Sequence, residues 1–152
     1  MRNIPTDPSI KKITASETIA VRHPVLRNGK PVESCRFDGD DLETTQHFGY
    51  FDGGKLVGVI SLFLHSNLQF NYSKQYQIRG MAVLDSYRKR GIGAALVKHV
   101  EAVAITDETE LIWFNAREVA VPFYENLGYK IIGNAFLIGD IGLHYVMFKL
   151  FA

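Results

Sequence analysis

The segment Arg88-Lys89-Arg90-Gly91-Ile92-Gly93-Ala94 carries the plainest chemical meaning in the chain. It is basic and holds two glycines. It lies between a β-forming stretch that ends near Leu84 and an apolar-periodic stretch that begins at Gly91. A helix starting there leaves its first N–H groups without partners and directs the positive end of its dipole at them, which makes an anion site. Gly91 and Gly93 put no side chain between a ligand and the backbone, and the three cations add charge. A pyrophosphate is the natural guest. The plainer reading is a solvated charge run before an ordinary helix, and a lone Gly-x-Gly would support no more than that. Neither common nucleotide motif is met: Leu96 stands where the dinucleotide signature needs its third glycine, and there is no Gly-Lys-Ser/Thr.

Other chemistry-bearing residues are scattered. Arg79 falls in mid-strand beside Gly80, where a charge is unusual unless it lines a cleft. Its guanidinium fork suits a carboxylate or phosphonate. His144 and Tyr124, taken alone, read as a strand histidine that packs and an aromatic that anchors a short helix. Trp113 reads as core. Cys35 is the one cysteine, so neither a disulfide framework nor a thiolate metal site can form. His23, His47, His65, His99 and His144 lack metal-ligand spacing, so no metal is expected.

These residues need elements to hold them. A short strand is expected at Ile10 to Ile13. Thr14-Ala-Ser-Glu17 has the spacing of a capping box, and a helix follows over Ala15 to Leu26, its end disturbed by Pro24. Arg27 to Asp41 reads as a loop, long enough to suggest a function. Thr45 to Phe51 and Lys55 to Leu64 read as strands around an Asp52-Gly53-Gly54 hairpin turn. A loop over Ser66 to Lys74 precedes a strand over Gln75 to Leu84. In Gly91 to Ala104, residues Ile92, Leu96, Val97, Val100, Val103 and Ala104 form one apolar helical face, with Lys98, His99 and Glu101 opposite. Leu111 to Phe114 predicts a strand and Val119 to Leu127 a helix ended by Gly128. Strands over Lys130 to Leu137 and His144 to Leu150 close the chain. Helices following strands imply some parallel pairing and the hairpins imply antiparallel pairing, so a mixed sheet with helices packed on it fits both.

The 152 residues are one domain's worth, 1–152. A net charge of +1 does not indicate a strongly basic surface for nucleic acid, though it leaves room for local basic patches, and no nucleic acid partner is expected. Residues Met1 to Pro8 form a polar lead-in without the apolar core of a signal peptide. No apolar run approaches the ~20 residues that span a bilayer, so no membrane partner and a cytoplasmic location are expected.

Arg88-x-x-Gly91-x-Gly93, set between strand and helix, resembles the Arg/Gln-x-x-Gly-x-Gly/Ala signature of the GNAT superfamily of N-acetyltransferases. Asn115, followed by Phe123-Tyr-Glu-Asn-Leu-Gly-Tyr129, looks like that superfamily's second signature. Val21 to Arg27, Gln75 to Met81, Leu111 to Arg117 and His144 to Lys149 are similar to the bacterial glyphosate N-acetyltransferase subgroup. The resemblance implies an α+β fold of α/β/α layers, with a mixed, mostly antiparallel central sheet and flanking helices. It implies acetyl-CoA as cosubstrate, held by Met81, Ala82, Val83, Arg88, Lys89, Arg90, Gly91, Ile92, Gly93, Ala94, Asn115 and Tyr124. It implies a small amine substrate, anionic and amino-acid-like or an aminophosphonate, whose acidic groups meet Arg27, Arg79 and Arg117. His144 would contact that substrate and serve as base, and Tyr124 would lie near the CoA sulfur as acid. A monomer or homodimer is expected. Two departures bear on pocket shape: Gly139 to Leu143 stands where the subgroup has prolines, and Val83 where it has threonine. Acetylation of a protein or peptide amine, an acyl-CoA-binding module without turnover and, more remotely, a domain binding a nucleotide other than CoA stay open as other readings.

Overall fold

The computed structural model describes residues 7–139 and 141–151; most of the polar lead-in, Asp140 and Ala152 fall outside that range. Among the described residues there are seven strands: β1 (Ile10–Ile13), β2 (Gln46–Asp52), β3 (Lys55–Leu64), β4 (Gln75–Val83), β5 (Leu111–Arg117), β6 (Lys130–Ile138) and β7 (Gly142–Leu150). They form one sheet in the order β1-β2-β3-β4-β5-β7-β6. The helices are α1 (Ala15–Leu26), α2 (Ile92–Thr106) and α3 (Val121–Asn126). Every strand pairing is antiparallel except that of β4 with β5. The expected mixed, mostly antiparallel sheet with flanking helices is therefore what the chain forms.

Local chemistry sets most of these boundaries. Thr14 accepts from the Glu17 amide at 3.2 Å, and Glu17 accepts from the Thr14 amide at 2.9 Å, which starts α1 as the capping box requires. Pro24 does not break α1. It lies in the last turn, and the Arg27 amide still bonds to the His23 carbonyl at 3.1 Å. The hairpin turn between β2 and β3 forms with Asp52 opposite Lys55. β5 runs three residues past its expected end at Phe114, because it is held by β7 as far as Arg117. The helix expected from Val119 begins at Val121, after a 3-10 turn over Glu118–Ala120.

The sheet has two covered faces. On one, Ile92, Leu96, Val97, Val100 and Ala104 of α2 are buried against Val57, Ile60, Leu62, Tyr76, Ile78, Ile112, Phe114 and Met147. Truncating one of these, Leu96→Ala for instance, would cost ~2–5 kcal/mol. On the other face, Val21 of α1 packs on Val59 and Ala82, and farther along Leu111, Trp113 and Val146 form a second patch with Phe70 and Tyr72. His99 departs from the outward face expected for it. It is half-buried, its ring 4.7 Å from that of Phe48, and burial holds its imidazole below the ordinary pKa.

Candidate active site

Two neighbouring strands part company at the centre of the sheet. β4 and β5 pair through Gln75–Leu111, Tyr76–Ile112 and Gln77–Trp113, and the ladder stops there although both strands continue. The cause lies on the other edge of β4. Its register with β3 passes from Ala82 opposite Val59 to Arg79 opposite Ser61, so β4 carries one extra residue in that interval. A bulge of this kind bends a strand and raises its twist. Gly80, at φ +65°, occupies the bulge, and a Cβ there would lie 2.9 Å from Phe37 and 3.1 Å from Arg22 Nε. Only glycine meets both demands. The backbone of Met81, Ala82 and Val83 thus borders the gap with its β5-facing edge unpaired.

On the α2 face the basic turn opens onto this gap. A 3-10 turn over Asp85–Tyr87 follows β4; then Lys89 (φ 63°) and Gly91 (φ 79°) adopt left-handed backbone, with Gly91 as N-cap of α2. The first helical bond runs from the Ala95 amide to the Gly91 carbonyl at 3.0 Å, which leaves the amides of Ile92, Gly93 and Ala94 unclaimed by the helix. Arg88, Lys89 and Arg90 are exposed around them, Arg90 over the Tyr87 ring at 4.9 Å. Gly93 serves packing as well as access: a Cβ there would come within 3.3 Å of Phe123 and 3.5 Å of Met81. The Ile92 side chain is in the core, so its amide alone faces an anion.

The opposite face carries the arginines. Ladder partners point the same way, so Ser61, Arg79, Gln77, Trp113, Asn115, Arg117, Val146 and His144 share the α1 face. Arg79 and Arg27 meet over one ring. The Arg79 guanidinium lies 4.8 Å and that of Arg27 5.6 Å from the centre of Phe37. Arg79 also donates to the Asp38 carbonyl at 3.3 Å, and Arg27 to its neighbour Leu26. Neither has a carboxylate partner within ion-pair distance among the described residues. Burial lowers the Arg79 pKa, helped by the charges of Arg22 and Arg27 and opposed by Asp40 and Asp38. Arg117 stands exposed at the end of β5, opposite His144 in the β5/β7 ladder. His144 is buried, and its Nδ1 lies 2.9 Å from the Gly142 carbonyl. A carbonyl only accepts, so Nδ1 carries the proton and Nε2 of the neutral ring keeps its lone pair.

Tyr124 sits on the other side of β5. Its ring packs on Phe114 at 4.3 Å, with Phe123 and Tyr129 beside it. Burial pushes its phenol up to about 12, so the hydroxyl keeps its proton at neutral pH. Tyr124 and His144 therefore lie on opposite faces of the sheet. Asn115 is exposed on the His144 face, away from the Tyr124 ring.

Sequence reading missed the group beneath the arginines. Arg22, fully buried, donates to both oxygens of Asp40 at 2.7 and 3.2 Å, to the Cys35 carbonyl at 2.9 Å and to Ser61 Oγ at 2.9 Å. His47 joins Ser61 Oγ at 2.6 Å and the Asp40 carbonyl at 2.9 Å. A signal existed: Thr18, Val21, Arg22 and Val25 fall on one stripe of α1, so Arg22 holds a core-facing position.

Residues 14–129 match the family described as acetyltransferase (GNAT) family. The chain is 34% identical over 140 residues to the Bacillus subtilis uncharacterized N-acetyltransferase YitI, covering 92% of this chain and 94% of that protein. Its fold is similar to that of an aminoglycoside 6'-N-acetyltransferase crystallised with coenzyme A (TM-score 0.74, 17% identity, 93% of this chain and 96% of the other). It is equally similar to a putative N-acetyltransferase from Lactobacillus plantarum (TM-score 0.75, 18% identity, 93% and 98% covered). Among the described residues no cluster of His, Cys, Asp and Glu could hold a metal ion, and no helix is long and apolar enough to cross a membrane.

Proposed function

The chain belongs to the acetyltransferase (GNAT) family, and from that premise we propose that this N-acetyltransferase moves an acetyl group from acetyl-CoA to the amine of a small anionic molecule, amino-acid-like or an aminophosphonate. The observation that carries the acceptor class is charge. Arg27 and Arg79 lean on one phenyl ring without carboxylate partners among the described residues, and Arg117 stands beside His144 on the same face of the sheet. Guanidiniums held this way attract a bidentate acid group. The resemblance to the glyphosate N-acetyltransferase subgroup points the same way.

The residues that border the gap fit acetyl-CoA. The free amides of Ile92, Gly93 and Ala94, with Arg88, Lys89, Arg90 and Gly91 around them, would hold its diphosphate. The unpaired edge of Met81, Ala82 and Val83 would hold the pantetheine arm as an added strand, with Asn115 facing it from β5. Acetyl-CoA supplies the activated thioester. Bringing amine and thioester together is the largest contribution, ~7–11 kcal/mol for well-oriented groups. A backbone N–H of β4 stabilises negative charge developing on the carbonyl oxygen. His144 Nε2, its lone pair free, takes the amine proton. Tyr124 donates a hydrogen bond to the departing sulfur from the opposite face; its high pKa suits it to give a bond rather than to part with its proton.

We place the reaction in the cytoplasm, carried out by residues 1–152 as one domain, monomeric or homodimeric. A thiol-release screen of amino acids, aminophosphonates and neutral and cationic amines tests the assignment. Acidic amines should turn over best. Faster turnover of neutral or cationic amines would overturn the acceptor class.

A further inference from the structure

The three guanidiniums around Phe37 have unequal roles. Arg22 lies nearest, 3.9 Å from the ring centre, and alone of the three is neutralised, by Asp40 at 2.7 Å. Arg27 and Arg79 lie farther out and, among the described residues, have no carboxylate within ion-pair distance. The loop that carries Phe37 is fastened at both ends to the same buried side chain: Arg22 Nη1 holds the Cys35 carbonyl at 2.9 Å, and both Nη atoms hold the Asp40 carboxylate. The Phe37 amide bonds to that carboxylate at 3.0 Å. Ser61 and His47 brace the pair from β3 and β2, through Ser61 Oγ and the Asp40 carbonyl. Two of these bonds have a fixed direction: the His47 Nε2–H donates to the Asp40 carbonyl, and Arg22 donates to Ser61 Oγ, which also bonds to His47 Nδ1.

We propose that Arg22 and Asp40 are positioning residues for the acceptor pocket: their buried pair clips the Cys35–Asp40 loop so that Phe37 lies against Arg27 and Arg79 and fixes where those two guanidiniums converge. Phe37 is half-buried, and the loop has no strand or α-helix of its own beyond the 3-10 turn over Val32–Cys35. Apart from Thr45 Oγ1, which donates to the Gly39 carbonyl at 2.6 Å, and Arg79, which donates to the Asp38 carbonyl at 3.3 Å, its position rests on the clip. Arg27, the C-cap of α1, and Arg79, on β4, are held by elements whose own backbone bonds the clip does not make. What changes is the ring they share and the Asp38 carbonyl that Arg79 donates to. The consequence is selective: acceptor binding suffers, while the basic turn and the first amides of α2, on the opposite face of the sheet, are left in place.

This inference rests on the anionic-acceptor reading, and the test separates the two. Steady-state kinetics of wild type, Asp40→Asn and Phe37→Leu are measured with aminomethylphosphonate and L-aspartate, and hydrogen exchange of the Phe37–Asp40 amides is followed in parallel. Both variants should raise the acceptor KM at least tenfold, with the acetyl-CoA KM within twofold of wild type. In Asp40→Asn the loop amides should exchange at least tenfold faster. Asp40→Asn leaves a buried guanidinium without a counter-ion; if it does not fold, Phe37→Leu, which keeps the clip and removes the ring, decides by the same KM split. Unchanged acceptor KM, or a fall in kcat alone, overturns the proposal. If wild type acetylates neither probe, the acceptor reading fails for them, and loop exchange still decides: protection unaltered in Asp40→Asn, or in Arg22→Lys where Asp40→Asn is unfolded, overturns the clip.

Discussion

Arg117 and His144 face each other across the ladder between β5 and β7, on the sheet face that also carries Arg79. That pairing puts a guanidinium beside the one imidazole whose Nδ1 is committed to a backbone carbonyl. An acid group drawn to Arg117 would leave its amine near Nε2.

His144→Ala should lose about 10²–10⁴ in kcat, the usual worth of general acid–base help, and bind acetyl-CoA as wild type does. Stopped-assay turnover together with calorimetry checks both halves. Turnover near the wild-type rate would remove His144 from the chemistry.

Tyr124→Phe should slow turnover more than it weakens CoA binding. Burial disfavours the phenolate and pushes the phenol to about 12, so the donor form persists through the whole accessible alkaline range. The pH profile of kcat should accordingly show no falling limb from Tyr124 below about pH 10. A falling limb at lower pH that vanishes in Tyr124→Phe would contradict this placement.

Arg79→Lys keeps the charge and loses the fork. Hydrogen bonds to charged groups contribute ~1.5–3 kcal/mol, so the acceptor KM should rise about tenfold to a hundredfold. The acetyl-CoA KM should not change. Equal KM values for acidic acceptors in variant and wild type would deny Arg79 a place in the pocket.

Gly80→Ala tests the bulge. Left-handed backbone at a non-glycine residue costs ~1–3 kcal/mol, and the new Cβ would meet Phe37 at 2.9 Å. The melting temperature should fall by several degrees, with the acceptor KM raised. A variant as stable as wild type would mean that the bulge relaxes at no cost.

Asp40 gives a pH signature of stability. Burial alone would raise its pKa, but bonds from Arg22 and the Phe37 amide, with the Arg22 charge, outweigh it and hold the carboxyl below its ordinary value. A lowered folded pKa means stability that is present above the unfolded value, ~3.9, and is lost as pH falls through the folded one. Below about pH 4, wild type should lose stability more steeply than Asp40→Asn. Parallel acid unfolding curves would contradict the pair's contribution.

Much of the architecture could be read from local signals. The capping box at Thr14 and Glu17, the hairpin after Asp52 and the apolar stripe of α2 each involve residues close in sequence, and each forms as expected. The basic strand-to-helix turn before α2 was legible because a strand end, three cations and two glycines coincide within one short segment. What was not legible depends on distant partners. β5 seemed to end at Phe114 because Asn115 and Arg117 are polar; they are strand residues because β7 pairs with them and one face there is open. The bulge at Gly80 is defined only against β3, and the parting of β4 from β5 follows from it. Nothing local in the sequence singles out Arg22, since its partners Asp40 and Ser61 lie 18 and 39 residues away.

Everything proposed for the chemistry presumes that the acyl donor lies in the gap between β4 and β5 with its diphosphate against the first amides of α2. Titration calorimetry of the folded protein with acetyl-CoA and with S-acetylpantetheine, which lacks the diphosphate and nucleotide, tests this directly. Acetyl-CoA should bind at least a hundredfold more tightly, and Arg90→Ala should narrow the difference. No heat with acetyl-CoA, or equal affinity for the two compounds, would contradict the placement and the roles assigned around it.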